Sequence, residues 1–177
     1  GSEMCIRDRR KWESIRVWSL NSHELSEDKK EAFLQAGNGL VEFAGTKTEA
    51  LEGADVILLC TSAADAVISA KDIEGAPLIT SISTNVACAH EIDPAMLALM
   101  DVYCDCTATT ATVAGEMKLA IEAGYWKPEA VKADLGALVN RAAPLPAYDK
   151  PVFFRSIGQG LEDVAVALAV FNQIQKQ

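Results

Sequence analysis

The chain has 177 residues, half of them hydrophobic, which is enough to bury the core of one domain with at most a small appendage. Its net charge of −9 is uneven: residues 1–16 carry five basic and three acidic side chains, so the remainder carries −11. An acidic body without a basic stripe argues against a nucleic-acid partner. The apolar run Val56-Ile-Leu-Leu-Cys is too short to span a bilayer, so we expect no membrane partner.

The first twelve residues are predicted to be a tag or other non-native leader. Gly1-Ser2 resembles an expression remnant, and the charged stretch that follows has neither a helical nor a strand period. From Ser14 onward strands alternate with helices. The predicted strands lie at 14–20, 40–44, 54–60, 77–83, 101–106 and 152–155, and the predicted helices at 26–36, 47–52, 93–100, 109–123 and 128–138. This alternation predicts an α/β fold with a doubly wound parallel sheet.

The segment from Val152 to Ala167 is the most informative part of the chain. It reads as an apolar strand, a turn at 156–160 and a long helix whose first turn carries Glu162 and Asp163. Such a turn can present backbone N–H groups to an anionic or carbonyl ligand, although an ordinary strand-turn-helix connection fits the spacing too. The helix is predicted to have one apolar face, formed by Leu161, Val164, Ala165, Leu168, Phe171 and Ile174.

The cysteines and histidines indicate neither a disulfide framework nor a metal site. An odd number of scattered thiols without a C-x-x-C pair favours a reducing, cytoplasmic location. With only His23 and His90 in the chain, a histidine-rich metal site is not expected. Cys60 and Cys88 are expected to be buried, inert thiols. Asp105 and Glu116 are expected to be solvated or capping residues.

A dinucleotide-binding sheet normally begins with a strand followed by G-x-G-x-x-G, and nothing of this kind occurs near the start of the chain. The strand at Ile15–Leu20 resembles the second strand of such a sheet. The expectation is therefore a Rossmann-like sheet that lacks its first βα unit, or else a fold that binds no nucleotide.

Four segments, in a fixed order, carry a resemblance to a known family. They are Arg16-Val-Trp-Ser, the run from Ala50 to Ser62, the run from His90 to Leu97 with Asp101-Val-Tyr-Cys-Asp, and the run from Val152 to Ala165. Together they resemble the C-terminal half of the ornithine cyclodeaminase/μ-crystallin family. The resemblance implies an N-terminal part, absent here, that binds substrate and forms a homodimer around a Rossmann domain.

The resemblance also implies a domain organisation. Residues 13–150 would form a partial NAD(P)-binding Rossmann domain, and residues 151–177 a strand-turn-helix returning toward the substrate and dimerisation domain. The 177-residue chain would then be inactive by itself.

The family's branches differ at Asn85, where cyclodeaminases and alanine dehydrogenases tend to place an aspartate. An asparagine cannot ionise and can only orient a substrate or water. The surrounding Ser-Thr-Asn…Ala-His-Glu-Ile resembles Δ1-pyrroline-2-carboxylate (Δ1-piperideine-2-carboxylate) reductases. The implied activity is NAD(P)H-dependent reduction of a cyclic imino acid, with Asn85 catalytic and Thr61, Ser62, Ser156 and Gly158 binding the cofactor.

The preferred cofactor is left open between NADH and NADPH. The second strand ends without an acid that would bind the ribose of NAD and without an arginine for a 2′-phosphate. Asn21 and Ser22 are predicted to bind this end of the cofactor, with NADPH slightly favoured. Three alternatives stay open: a cyclodeaminase or alanine dehydrogenase, a non-catalytic NADPH-binding protein like μ-crystallin, and a truncated product without function.

Overall fold

The computed structural model describes residues 11–20, 26–82, 86–158 and 160–175. The chain divides into two compact units, Gly1–Glu52 and Gly53–Gln177. Both contain parallel strands joined through helices, so the predicted α/β class is confirmed. Within the described ranges, no helix has the length and apolar character needed to cross a membrane.

Among its described residues, the first unit contains two strands and two helices. β1 (Ile15–Val17) pairs in parallel with β2 (Val41–Phe43), and α1 (Glu27–Gly37) connects them. α2 (Lys47–Leu51) follows, and its N-terminus is held by a reciprocal pair of hydrogen bonds between Thr46 and Glu49. At the other end of α2, the Arg16 guanidinium donates to the carbonyl oxygens of Glu49 and Glu52. β1 therefore helps to fix the position of α2, the helix that follows its partner strand β2.

The second unit is a five-stranded parallel sheet in the order β3-β4-β7-β5-β6. Its strands are β3 (Val56–Leu59), β4 (Leu78–Ser81), β5 (Asp101–Cys104), β6 (Val131–Asp134) and β7 (Val152–Arg155). Its α-helices are α3 (Thr110–Val113), α4 (Gly115–Glu122), α5 (Leu135–Val139) and α6 (Gly160–Ile174), with 3-10 helices at Ala70–Asp72, Pro94–Leu99 and Pro128–Ala130.

The last strand of the chain lies at the centre of this sheet. β7 pairs with β4 on one side and with β5 on the other, so Phe153 stands level with Ile79 and Val102. All three side chains are buried. Strands covered on both faces are expected to be apolar, which explains why β7, with three of its four residues buried, is readable from sequence.

Two predicted helices are wrong in detail. The predicted helix 128–138 is instead a 3-10 turn, the strand β6 and the short helix α5. β6 forms because Val131 and Ala133 can pair with β5, and Asp134 then accepts a hydrogen bond from the Ala137 N–H, which starts α5. The predicted helix 109–123 is interrupted at Ala114, whose extended conformation separates α3 from α4.

The apolar side chains of α6 lie in solvent in the described part of the chain. Val164, Leu168, Phe171 and Ile174, which the sequence places on one apolar face, are each more than half exposed. Val166 and Val170, outside that face, are more than half exposed as well. The helix is confirmed, but within the described residues its predicted apolar face covers no core.

Gly115, the first residue of α4, packs directly against backbone. A Cβ atom at this position would lie 2.1 Å from the carbonyl oxygen of Ala89. We expect Gly115→Ala to lower the free energy of unfolding by about 2 kcal/mol, because backbone cannot give way as a flexible side chain can. Urea denaturation measures the change. The matched control is Gly136→Ala in α5, where the new Cβ would be 3.4 Å from its nearest neighbour. Equal stability of the two variants would contradict this packing.

Candidate active site

Four of the polar residues predicted to bind a cofactor follow the carboxyl ends of two strands of the same parallel sheet. Thr61 and Ser62 follow β3, and Ser156 and Gly158 follow β7, with β4 between the two strands. Thr61, Ser62 and Gly158 are exposed, and Ser156 is half-buried. Ligands of open α/β sheets bind at this edge, so these four residues occupy an edge suited to a ligand. Asn85, Asn21 and Ser22 lie outside the described residues, and their predicted roles stay predictions.

A buried carboxylate lies directly behind Thr61. Glu91 has no exposed surface, yet its Oε1 accepts a hydrogen bond from the Thr61 N–H at 2.6 Å and its Oε2 accepts one from Ser81 Oγ at 2.7 Å. Ser81 is the last residue of β4. One side chain therefore links the loop after β3 to the end of β4.

Arg155 continues this connection into β7. Its Nη1 donates to Ser81 Oγ at 3.1 Å and to the carbonyl oxygen of Ser156 at 3.1 Å. Its Nε lies 2.8 Å from Oε1 of Glu116, an ion-pair contact without the alignment of a hydrogen bond. We call Glu91, Ser81, Arg155 and Glu116 the buried polar network, because each is at most 1% exposed.

The network holds more acid than base. It contains two carboxyl groups and one guanidinium, which lies against Glu116, and charges removed from water are costly unless they are balanced. Burial raises the pKa of Glu116 above its ordinary value of 4.5, the neighbouring Arg155 opposes the rise, and Glu91 adds to it. The expectation that Glu116 is solvated or capping is therefore wrong: it is the buried counter-ion of the strand that carries the candidate site.

Asp105 organises the turn after β7. Its Oδ2 accepts hydrogen bonds from Ser156 Oγ at 3.0 Å, the Ile157 N–H at 2.8 Å and the Gly158 N–H at 3.1 Å. Its Oδ1 accepts from Thr110 Oγ1 at 2.5 Å and from the Cys106 N–H. The turn thus does present N–H groups to an anion, but that anion is a carboxylate of the same chain. Gly158 has φ +75°, which favours glycine.

The cysteines near this edge differ from expectation. Cys60 and Cys88 are exposed, so the prediction that both are buried is wrong. Cys88 sits in a left-handed conformation with φ 63°, in the loop that precedes Glu91. Cys104, at the end of β5, is buried instead. Loop position rather than hydrophobicity decides their exposure, because Cys60 and Cys88 lie beyond the strands that bury their neighbours.

The two kinds of thiol are expected to react differently. Burial raises the pKa of Cys104 to about 11, so at neutral pH it is a protonated thiol without access to reagents. We expect a maleimide to label Cys88 in the folded protein at neutral pH and to label Cys104 only after unfolding. Mass spectrometry of the labelled peptides, with and without urea, provides the measurement. Labelling of Cys104 as fast as Cys88 in the folded protein would contradict this assignment.

Sequence reasoning overlooked Glu91 and Arg155, the two charged residues that join the predicted segments. A weak signal was present for each: Arg155 ends an otherwise apolar strand, and Glu91 lies between His90 and a buried isoleucine. Neither pattern by itself distinguishes a buried charge from an exposed one. Only the pairing of β4 with β7 brings the two residues to the same serine.

Comparison with known proteins gives a consistent result. The chain is 47% identical over 167 residues to the NAD(P)H-dependent anabolic L-arginine dehydrogenase DauB of Pseudomonas aeruginosa, covering 94% of this chain and 52% of that protein. It is 32% identical over 117 residues to the iminosuccinate reductase of Paracoccus denitrificans, covering 66% of this chain and 36% of the relative. The chain spans about half the length of DauB, and less of the second relative.

Solved structures show the same fold. The Δ1-pyrroline-2-carboxylate reductase of Thermococcus litoralis, in complex with NADH and L-proline, superposes with a TM-score of 0.89 at 18% identity, covering 99% of this chain and 54% of that one. The iminosuccinate reductase of Paracoccus denitrificans, in complex with NAD+, superposes with a TM-score of 0.84 at 25% identity, covering 96% and 51%. The predicted Rossmann-like class is therefore confirmed.

The family profile of ornithine cyclodeaminase and mu-crystallin proteins matches residues 2–177, nearly the whole chain. The match includes the four segments whose resemblance was noted from sequence. It also includes Glu91 and Arg155, which hold the carboxyl edge together. The protein therefore belongs to the ornithine cyclodeaminase/mu-crystallin family.

Proposed function

We propose that the chain provides the nicotinamide-binding part of an NAD(P)H-dependent oxidoreductase that reduces the C=N bond of an imino acid. The observation that carries the proposal is the arrangement at the carboxyl edge. Thr61, Ser81 and Ser156, from three adjacent strands, are joined by the buried polar network. The 47% identity to an NAD(P)H-dependent dehydrogenase supports it.

The residues present suit the amide and hydroxyl groups of a nicotinamide riboside. Thr61 and Ser62 offer exposed neutral hydroxyls, and Ser156 adds a third that is half-buried. A reduced nicotinamide would supply the hydride to the C=N carbon, and the imine nitrogen would take up its proton from water. In the proposal, the chain's own residues hold the ring, and Asn85 orients the substrate by hydrogen bonding without exchanging a proton.

Two candidate substrates of this class are each favoured by a different observation. The amino-acid sequence around Asn85 favours a cyclic imine such as Δ1-pyrroline-2-carboxylate. The similarity to the arginine dehydrogenase favours the open-chain imine formed from ammonia and a guanidino 2-oxo acid. We further propose that the 177-residue chain is inactive by itself, which the greater length of the relatives supports. We also propose that the whole protein forms a homodimer, as an archaeal alanine dehydrogenase of the same fold does with bound NAD.

The test has two stages. Binding is measured first, by the fluorescence of NADH and NADPH titrated with the 177-residue chain. Turnover is then measured with the chain and any further segment its gene encodes, using pyrroline-2-carboxylate, the guanidino 2-oxo acid with ammonia, and ornithine as separate substrates. We expect consumption of the reduced cofactor with an imine. Ammonia release from ornithine would indicate a cyclodeaminase instead, and tight NADPH binding without turnover a non-catalytic protein.

A further inference from the structure

We propose that Glu91 is a positioning residue of the cofactor site. Its buried carboxylate fixes the loop after β3 through the Thr61 N–H and couples that loop, through Ser81 and Arg155, to the turn after β7. The inference rests on the proposed function for its link to the cofactor, and on the contacts below for the link between the loops.

The backbone of Glu91 is anchored to the segment at 67–68. Its carbonyl oxygen accepts hydrogen bonds from the Val67 and Ile68 N–H groups, at 2.8 and 3.1 Å. The next residue, Ile92, forms a parallel bridge with Ile68 and is fully buried. The backbone of Glu91 is therefore held by the segment at 67–68, independently of the loop after β3.

Thr61 is fixed by this contact although its side chain is in solvent. Its N–H points inward to Glu91 Oε1 at 2.6 Å, while its own Oγ1 accepts from the Ala63 N–H at 3.2 Å. The carboxylate thus determines the direction of the chain as it leaves β3. A hydrogen bond to an ionised acceptor is stronger than a neutral one, so a carboxylate is well suited to hold an exposed loop.

The other carboxylate oxygen transmits the position to the far side of the site. Ser81 Oγ donates to Glu91 Oε2 and accepts from Arg155 Nη1, and the same Nη1 donates to the Ser156 carbonyl oxygen. A displacement of Glu91 would therefore shift both the loop after β3 and the turn after β7, which are the two predicted walls of the cofactor site. The side chains that make this connection, those of Glu91, Ser81 and Arg155, are all buried.

The experiment compares two substitutions of matched length. Glu91→Met fills the space but accepts no hydrogen bond, whereas Glu91→Gln keeps an amide oxygen that can accept the Thr61 N–H. We expect the Thr61 amide to exchange with solvent roughly tenfold faster in Glu91→Met, with NADH binding weakened to a similar extent. Glu91→Gln should lie between the wild type and Glu91→Met in both measurements, because its amide oxygen can still accept the Thr61 N–H while its NH2 group cannot accept from Ser81 Oγ. The control is Ile79→Val, which destabilises the core of β4 without touching the network.

The outcomes separate this inference from the proposed function. If Glu91→Met alters Thr61 exchange no more than Ile79→Val does, the positioning role is overturned even when NADH binds. If Thr61 exchange responds as expected but the wild-type chain, together with any further segment its gene encodes, binds neither NADH nor NADPH, the proposed function is overturned and Glu91 is a structural link only. If Glu91→Gln behaves like Glu91→Met in exchange, the hydrogen bond to Thr61 is not what holds the loop.

Discussion

Replacement of Arg155 by methionine is expected to lower the free energy of unfolding by about 3–5 kcal/mol. Arg155 is 1% exposed and its Nε lies 2.8 Å from Glu116, which is wholly buried. Methionine fills most of the space but leaves the carboxyl group of Glu116 without its counter-ion. The loss arises from that uncompensated group and from the hydrogen bonds that Arg155 donates to Ser81 and Ser156.

The destabilisation by Arg155→Met should depend on pH in a defined direction. Because burial raises the folded-state pKa of Glu116, the stability linked to its proton is fully present below 4.5 and is lost as pH rises through the folded-state pKa. Removing Arg155 removes the charge that opposes this rise. We therefore expect a larger loss at about pH 8 than at about pH 5, measured by urea denaturation at both values.

Two further variants test the explanation. Arg155→Met combined with Glu116→Gln should recover part of the stability and lose the pH dependence, because the carboxyl group is gone. Lys150→Met provides the comparison: Lys150 is exposed and lies 3.1 Å from Asp101, so breaking that pair should cost at most about 1 kcal/mol. A loss in Arg155→Met no larger than in Lys150→Met would show that the buried pair contributes little.

Asp105→Ala is expected to lower the free energy of unfolding by about 2–3 kcal/mol and to release the turn after β7. The carboxylate accepts hydrogen bonds from two backbone N–H groups and one hydroxyl of the turn, and from Thr110 on the neighbouring segment. Water can replace the contact at exposed Gly158, but Ile157 and Thr110 are less accessible. Urea denaturation and amide exchange of Ile157 and Gly158 measure the two effects.

Asp105→Asn removes the carboxylate of Asp105 and keeps the size and shape of the side chain. The amide oxygen can still accept from the turn, while the amide nitrogen must face Thr110, so an intermediate loss is expected. The control is Asp149→Ala, at an exposed position, which should change stability by less than about 0.5 kcal/mol. Unchanged exchange of the Ile157 amide in Asp105→Ala would contradict the role given to this carboxylate.

The strands and the family could be read from the sequence because they depend on local patterns. In the apolar runs at 56–59 and 78–81 every second residue is buried, in the run at 152–155 three of four are, and their composition reflects that burial. β6 was missed because its residues have no such run: Val131 and Ala133 form a strand only because β5 offers an edge to pair with. Pairing between distant segments outweighed the local preference for helix.

The candidate site shows the same division. The sequence alone identified the polar residues after β3 and β7, since serine, threonine and glycine beyond an apolar strand mark the edge where ligands bind. It assigned Glu116 to solvent or to a helix cap, because a glutamate is seldom fully buried. Only the tertiary structure decided that Glu91, Ser81, Arg155 and Glu116 meet behind that edge, as β7 lies between β4 and β5. A charge is stable in the interior only beside partners that folding supplies from distant parts of the chain, and no local pattern encodes that meeting.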